Sequence, residues 1–475
     1  NMTDSPTPFN NDSRSAQFSL GGNSSPANPV GYNGSPLAAS QMANVVIVGA
    51  GLGGLPTAYE LRHDLPTEHS VTLISERPKF TFIPGLIRVA FGLASLDQIQ
   101  LDLGQLTRRQ GINWIPGAVT SIDPHRQQLT VGKQVMEYDY LVIATGASLA
   151  FDEIPGLGPD GGYTQSVCTP DHTIAAREAW FKFLENPGPL VVGAMSGAGC
   201  FGPAYEFVLM ADWVLRRRGI RDQVSITYVS PEPYVGHMGI AGMKNARELT
   251  GSLLKKREIQ TLNNTSISEI NPDTINLATG QQIPFKYAMI LPSFLGAKFL
   301  RETPELTNKK GFIPVKNSYQ HPKFPQIYAV GLSVDLEQPE TTPIAIGLPK
   351  SGQMAEVMGA AVAHNIAVEL GAVKPPLKTP TLEVLCLAEF GNTGIAYIAA
   401  PILPDPETGK RRYSYAVQGR LIPLFKAALE IYFMQKMRWG LGLPWFEKLG
   451  LRLLFGLSLL KPLPKAGPFH FPPKT

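Results

Sequence analysis

Short apolar runs recur along the chain, and most of them end on glycine. Ala43–Gly49 reads as a buried strand, and GAGLGGLPTAYELR bends it into a helix. Val71–Ser75 is the next strand and completes one βαβ unit. Tyr138–Thr145 (YDYLVIAT) is another buried strand, stopping at Gly146. Leu190–Gly193 opens a second unit whose next strand is Val224–Ser230, and Tyr287–Leu291 and Ile327–Gly331 are apolar strands as well. Strand–glycine–helix punctuation occurring twice predicts an α/β fold with two tandem Rossmann-like, doubly wound domains. The expected division is a discontinuous first domain over 43–150 and 300–375, a second over 151–299, and a C-terminal region over 376–475. Residues 1–42, rich in Ser, Asn, Pro and Gly, read as a disordered tail.

From Leu421 to Lys461 the pattern becomes helical, apolar and basic. Leu421, Leu424, Phe425, Ala428, Leu429, Tyr432, Phe433 and Met437 fall on one broad apolar face, with Lys426, Glu430, Gln435 and Lys436 elsewhere. A second helical segment follows a Gly/Pro break. Its longest charge-free run, Leu453–Leu460, is far short of the ~18–20 residues that cross a bilayer. The pair is therefore expected to lie in a membrane interface as an amphipathic anchor. Packing on its own domain or on a dimer partner is the alternative.

Composition sharpens this picture. A length of 475 residues supports two or three domains. Only 17% of residues are charged, against about a quarter in ordinary globular proteins. Arg411 to Thr475 holds eleven Lys/Arg and two Asp/Glu, although the whole chain carries only +4. That asymmetry directs the C-terminus to a negatively charged partner. Trp439, Trp445 and Phe446 among the basic residues favour a membrane surface over nucleic acid. With no apolar h-region or twin arginine near the start, no export signal is expected, and the protein reads as peripheral (monotopic) and made on the cytoplasmic side. Three cysteines in such a length are not a disulfide framework; they read as free or catalytic thiols, and their spacing suggests no metal site.

The first glycine turn carries chemistry. Gly49, Gly51 and Gly54 form GxGxxG between a strand and a helix, the layout that lets backbone approach a pyrophosphate at a helix N-terminus. The ribose partner is expected at the end of the second strand, at Ser75 or Glu76. YDYLVIATG, with Thr145 and Gly146, is a second feature of two-dinucleotide flavoproteins. The late strand IYAVG, ending at Gly331, favours FAD over NAD, although Gly331-Leu332 stands where the common pattern has Gly-Asp.

The second turn, GAMSGAGCFGPAYEF, is different. Working NAD turns commonly read GGGxxGxExA, but here Cys200 sits where a pyrophosphate would meet the helix. A thiol there is expected to favour its thiolate; a small buried apolar cysteine is the alternative. Cys386 lies in the alternating, strand-like TLEVLCLAEFG and reads by itself as core, and Cys168 lies in the loop QSVCTPDH.

These motifs, with SPEPYVGHMGI, PETTPIAIGLPKSGQM and FKAALEIYFMQKMRWG, resemble the sulfide:quinone oxidoreductases from Ala43 to about Phe446. The resemblance implies a membrane flavoenzyme with FAD in 43–150/300–375. It would oxidise hydrogen sulfide to polysulfide or zero-valent sulfur and reduce quinone. It implies that Cys200 and Cys386 form the redox pair, with Cys168 a third site cysteine. It also implies that His172 and His237 handle protons and that Glu206 is the site glutamate. The segment with Thr342, Pro343, Gly347 and Lys350 would lie beneath the flavin, and Lys426, Leu429 and Phe446 would line the quinone site. Leu429 departs from the usual Phe. The expected partners are sulfide, quinone and a membrane surface, with no nucleic acid; a homo-oligomer is compatible with this. The rival reading is a type II NADH:quinone dehydrogenase, which needs an open NAD turn where this chain places Cys200.

Overall fold

The structure, a computed structural model, describes residues 42–464 except Pro339. The tail expected over 1–42 falls outside the described residues apart from Met42. In chain order, β1 (Asn44–Val48), α1 (Gly54–Asp64), β2 (Ser70–Ser75), β3 (Asn113–Pro116) and β4 (Tyr140–Ile143) build the first unit. Then α2 (Pro170–Glu185), β5 (Leu190–Ala194), α3 (Gly202–Arg217), β6 (Ile226–Val229), α4 (Ala246–Lys256), β7 (Ile259–Leu262) and β8 (Tyr287–Leu291) build the second. After them come β9 (Ile327–Ala329), α5 (Gly352–Glu369), β10 (Val384–Glu389), β11 (Gly394–Ala400), β12 (Tyr413–Gly419), α6 (Ile422–Trp439) and α7 (Trp445–Phe455).

The first sheet has the order β9-β4-β1-β2-β3 and is parallel throughout. The second runs β7-β6-β5-β8, also parallel. Parallel strands covered on both faces need continuous apolar runs, which explains why NVVIV, YLVI, LVVGA and YAMIL carry so little alternation. Several predicted strands shorten at their ends, Tyr138–Thr145 to Tyr140–Ile143 and Ile327–Gly331 to Ile327–Ala329. The return of β9 to the edge beside β4 puts residues 327–329 in the first sheet. Helix α5 starts under a Ser351 cap, whose hydroxyl accepts the Met354 N–H at 3.2 Å, and packs along α1. β10, β11 and β12 form a separate antiparallel sheet, and Cys386 on β10 lies opposite Tyr397.

The C-terminal stretch departs from expectation twice. Leu421–Lys461 is not helical to its end: after α7 the chain turns into a short strand, Leu460–Pro462, paired with Lys378–Pro380. Moreover, α6 is charged on its inner side. Lys436 is fully buried and bonded to Glu356 and Glu447, the latter at 2.9 Å. Lys426 turns inward to Glu206. Phe433 and Met437 bury as expected, but Leu421, Leu424 and Ile431 are 69–75% exposed, and Trp439, Trp445, Leu453 and Leu454 join them outside. A buried ammonium needs a carboxylate partner, and Glu206, Glu356 and Glu447 supply it. The helical period alone does not say which face meets those partners. Among the described residues no helix is long and apolar enough to cross a membrane.

Candidate active site

The first turn has the geometry of a dinucleotide cradle. Gly49 sits at φ +102°, and a Cβ there would lie 2.1 Å from the Ala144 carbonyl oxygen, so only glycine fits. Beside Gly51 and Gly146, in contrast, there is open space. The Thr145 hydroxyl is buried and has no hydrogen-bond partner among the described residues. An open glycine turn at a helix start, with an orphaned hydroxyl beside it, fits a bound nucleotide. At the end of β2 the Ser75 hydroxyl is already engaged: it accepts from the Trp114 indole N–H and donates to the Arg77 carbonyl, both at 2.9 Å. Glu76 is exposed, and among the described residues it has no such commitment.

Next to this cradle, where Val330 packs beside Gly53, Gly331 adopts φ +70° just after β9. Lys350 closes the turn after it, its ammonium donating to the Leu332 and Val334 carbonyls at 3.2 and 2.6 Å over the Phe312 ring. Burial lowers the Lys350 ammonium to about 8. The Thr342 hydroxyl donates to the Ile344 carbonyl, and Pro343 is exposed beside it.

The second turn is filled. Gly197 N–H donates to the Ala345 carbonyl at 2.7 Å, and Gly347 N–H donates to the Ala198 carbonyl at 3.0 Å. The strap 345–347 thus lies across the turn. A Cβ on Gly347 would come within 2.8 Å of the Gly199 Cα, and one on Gly199 would meet the Phe294 ring. The backbone that would receive a pyrophosphate is bonded to protein instead.

The cysteines gather at this filled turn. Cys386 Sγ lies 3.0 Å from where a Cβ of Gly202, the first residue of α3, would stand. Cys386 feels the charge of Cys200, and Cys200 that of Cys168. All three are free thiols. The expectation of a favoured thiolate at Cys200 is corrected here. Burial pushes its thiol up to about 11; Cys168 and Glu232 push the same way, and only the Gly202 N–H opposes them. Burial likewise raises Cys386 and Cys168. Desolvation outweighs one helix terminus because the thiolate has few donors to replace water.

Glu206, on α3, is buried. It pairs with Lys426 and accepts the Glu389 N–H at 3.2 Å. Its carboxyl is raised by burial, against the pull of Lys426. The glutamate expected beside sulfide and the lysine expected beside quinone are thus one ion pair, linked through Glu389 to the strand that carries Cys386. Glu389 in turn pairs with Arg88.

His237 is fully buried. Gly239 N–H donates to its Nδ1 at 3.2 Å, so Nε2 carries the proton, toward Glu340 at 2.9 Å. His172 sits in the first turn of α2, with Nε2 3.0 Å from Asp160, its ring edge-on to Phe151 and its buried Nδ1 without a partner among the described residues. Among the described residues neither imidazole is hydrogen-bonded to a thiol. Leu429 is half-buried on α6, and Phe446 is 41% exposed at the start of α7, edge-on to Tyr432.

Sequence reasoning missed Glu232. It is fully buried and accepts from the Tyr205 and Tyr228 hydroxyls, the Ser230 hydroxyl and the Met238 N–H. Burial raises its carboxyl. It holds the loop that carries His237. A glutamate between two prolines reads as solvent-facing, and no local period marks it as buried.

Residues 43–348 match the pyridine nucleotide-disulphide oxidoreductase family. The sulfide-quinone reductase of Aquifex aeolicus is 35% identical over 85% of this chain and 93% of its own length. The chain belongs to the sulfide:quinone oxidoreductase family. The X-ray structure of the Aquifex enzyme superposes with a TM-score of 0.84, covering 89% of this chain and 98% of that one at 34% identity. A type II NADH:quinone oxidoreductase of Staphylococcus aureus is more distant, at 23% identity over 69% of this chain and 83% of its own.

Proposed function

We propose that this protein is a membrane-surface flavoenzyme that oxidises hydrogen sulfide through Cys200 and Cys386 and passes two electrons to quinone. The observation that carries this reading is the meeting of Cys386 Sγ with the first residue of α3, two positions beyond Cys200, at a turn closed to a dinucleotide. Gly49, Gly51, Gly54, Glu76, Thr145, Gly146, Gly331 and Lys350 would hold FAD. When bound, FAD supplies a two-electron acceptor between sulfur and quinone.

In the oxidised enzyme the two cysteines are joined, directly or through sulfur. Hydrosulfide attacks one sulfur; a new S–S bond makes a persulfide, and the old bond breaks to release the other cysteine as a thiolate. Because burial raises both thiols, the expelled sulfur is a strong base. Glu206, raised by burial and held against Lys426, is placed to manage its proton. His237, with Nε2 toward Glu340, and His172, beside Asp160, would relay sulfide protons from further out. Each cycle takes two electrons and a proton from hydrosulfide, leaves one zero-valent sulfur, and delivers two electrons and two protons to quinone, the second proton coming from solvent. Sulfur would accumulate as a chain by repetition and leave as polysulfide.

The outward apolar residues of α6 and α7 support docking on a bilayer, where quinone dissolves, and Lys426, Leu429 and Phe446 would receive it. The assay is flavin reduction by anaerobic sulfide in Cys200→Ala and Cys386→Ala. The expected rate falls by at least about a thousandfold; wild-type rates in either variant would sink the assignment. The NADH reading is not favoured, because the strap 345–347 occupies the turn it needs.

A further inference from the structure

A cleft of ≈ 680 Å³ opens where α3 and α4 end beside the β10–β11 turn, away from the cysteines. Its lining includes Trp213, Arg217, Lys256, Asn392, Thr393 and Arg420, and no carboxylate. Behind it the fully buried Asp212 takes up donors of Arg216, Arg221 and Arg257 at 2.7–3.0 Å, offsetting one of their three charges. Three cations then face the opening. Arg217 stacks on Trp213 at 4.8 Å. Lys256 and Arg420 are exposed, and among the described residues neither has an ion-pair or hydrogen-bond partner. Arg257 donates to the Asn392 side-chain oxygen at 2.9 Å, which fixes that amide at the rim. Three unpaired cations around a concave, carboxylate-free space form a site for a multiply bonded anion.

Its position says which anion. Arg420 is followed directly by Leu421 and then Leu424, the 75% and 69% exposed residues that begin the outward apolar row of α6. Thr393, in the same lining, donates to the Gly419 carbonyl and ties the cleft to the start of that helix. A charged pocket continuous with an exposed apolar strip matches an amphiphile. We propose that this cleft binds the phosphate headgroup of an anionic phospholipid whose chains lie along the start of α6. This rests on the reading of α6 and α7 as a membrane-facing surface, and it adds a specific headgroup site to that surface. The bound lipid would set the height of α6 in the bilayer.

The test is co-sedimentation of the full protein with vesicles of phosphatidylcholine alone and of phosphatidylcholine with phosphatidylglycerol, at one ionic strength. The double variant Lys256→Gln/Arg420→Gln is compared with wild type and with Lys309→Gln/Lys310→Gln, two exposed lysines outside the cleft. Wild type binds the phosphatidylglycerol vesicles more tightly. The cleft variant loses about fivefold of that gain per residue removed, the control pair keeps it, and binding to phosphatidylcholine is the same in all three. Equal losses in cleft and control variants, or no loss in the cleft variant, overturn the headgroup site while leaving the membrane face intact. Failure of wild type to bind either vesicle overturns both. A thermal shift with inorganic phosphate that the cleft variant lacks, combined with an undiminished phosphatidylglycerol preference, overturns the lipid assignment in favour of a soluble phosphate.

Discussion

The chain contains two glycine-rich strand-to-helix turns, and their surroundings differ. In the Gly49–Gly54 turn there is open space beside Gly51, and the buried Thr145 hydroxyl has no hydrogen-bond partner among the described residues. At Gly193–Gly202 the strand-to-helix bend is tied to the strap 345–347 and carries Cys200, and Cys386 Sγ on β10 lies against Gly202 two positions further on. Both bends have a parallel strand before them and a helix after them, so topology does not separate them. What separates them is what the rest of the chain lays across the opening. A glycine motif therefore reports a backbone shape, and its occupant is decided by distant segments.

Three experiments press on this contrast, the largest effect first. Glu206→Gln leaves Lys426 without its carboxylate behind the filled turn. Unfolding by denaturant should show a loss of about 3 kcal/mol, together with slower sulfide oxidation; unchanged stability would mean that the pair is not buried as described. Next is a matched pair of glycines. Gly347→Ala drives a methyl against the Gly199 Cα and should cost about 1–3 kcal/mol of stability, with or without FAD. Gly51→Val points into open space; it should leave the apoprotein's melting temperature unchanged while weakening FAD retention. If both variants behave alike, the two turns are not functionally distinct.

The smallest effect is a pH profile. With the Cys200 thiol raised to about 11, the reduced protein carries it neutral at pH 7, and thiolate appears only as pH rises toward that value. Alkylation of Cys200, followed by peptide mass analysis, should climb about tenfold per pH unit from 7 to 10 with no plateau. A plateau below pH 8 would instead mean that the helix terminus prevails over burial.

Both turns were legible in the sequence because their signals are local: apolar run, glycines at fixed spacing, helix. The parallel strands were legible for the same reason. The inner face of α6 was not. Leu421 and Leu424 matched the apolar period as well as Phe433 and Met437 did, and only the positions of Glu206, Glu356 and Glu447 decide which side faces in. Pairing Cys200 with Cys386 required resemblance, since 186 positions separate them and nothing in either neighbourhood points to the other. The position of Cys200 at the helix start was legible but its ionisation was not, because burial is a property of the assembled fold. Glu232 was invisible for the opposite reason, a charge in a proline-rich loop that the fold closes over with two tyrosines.

The central claim is that the second turn has been turned over from nucleotide to sulfur. Stopped-flow mixing of the oxidised holoenzyme with sulfide, and separately with NADH, tests it most directly. The account predicts rapid bleaching of the flavin band by sulfide and none by NADH. Bleaching by NADH at a comparable rate, or none by sulfide, would contradict it.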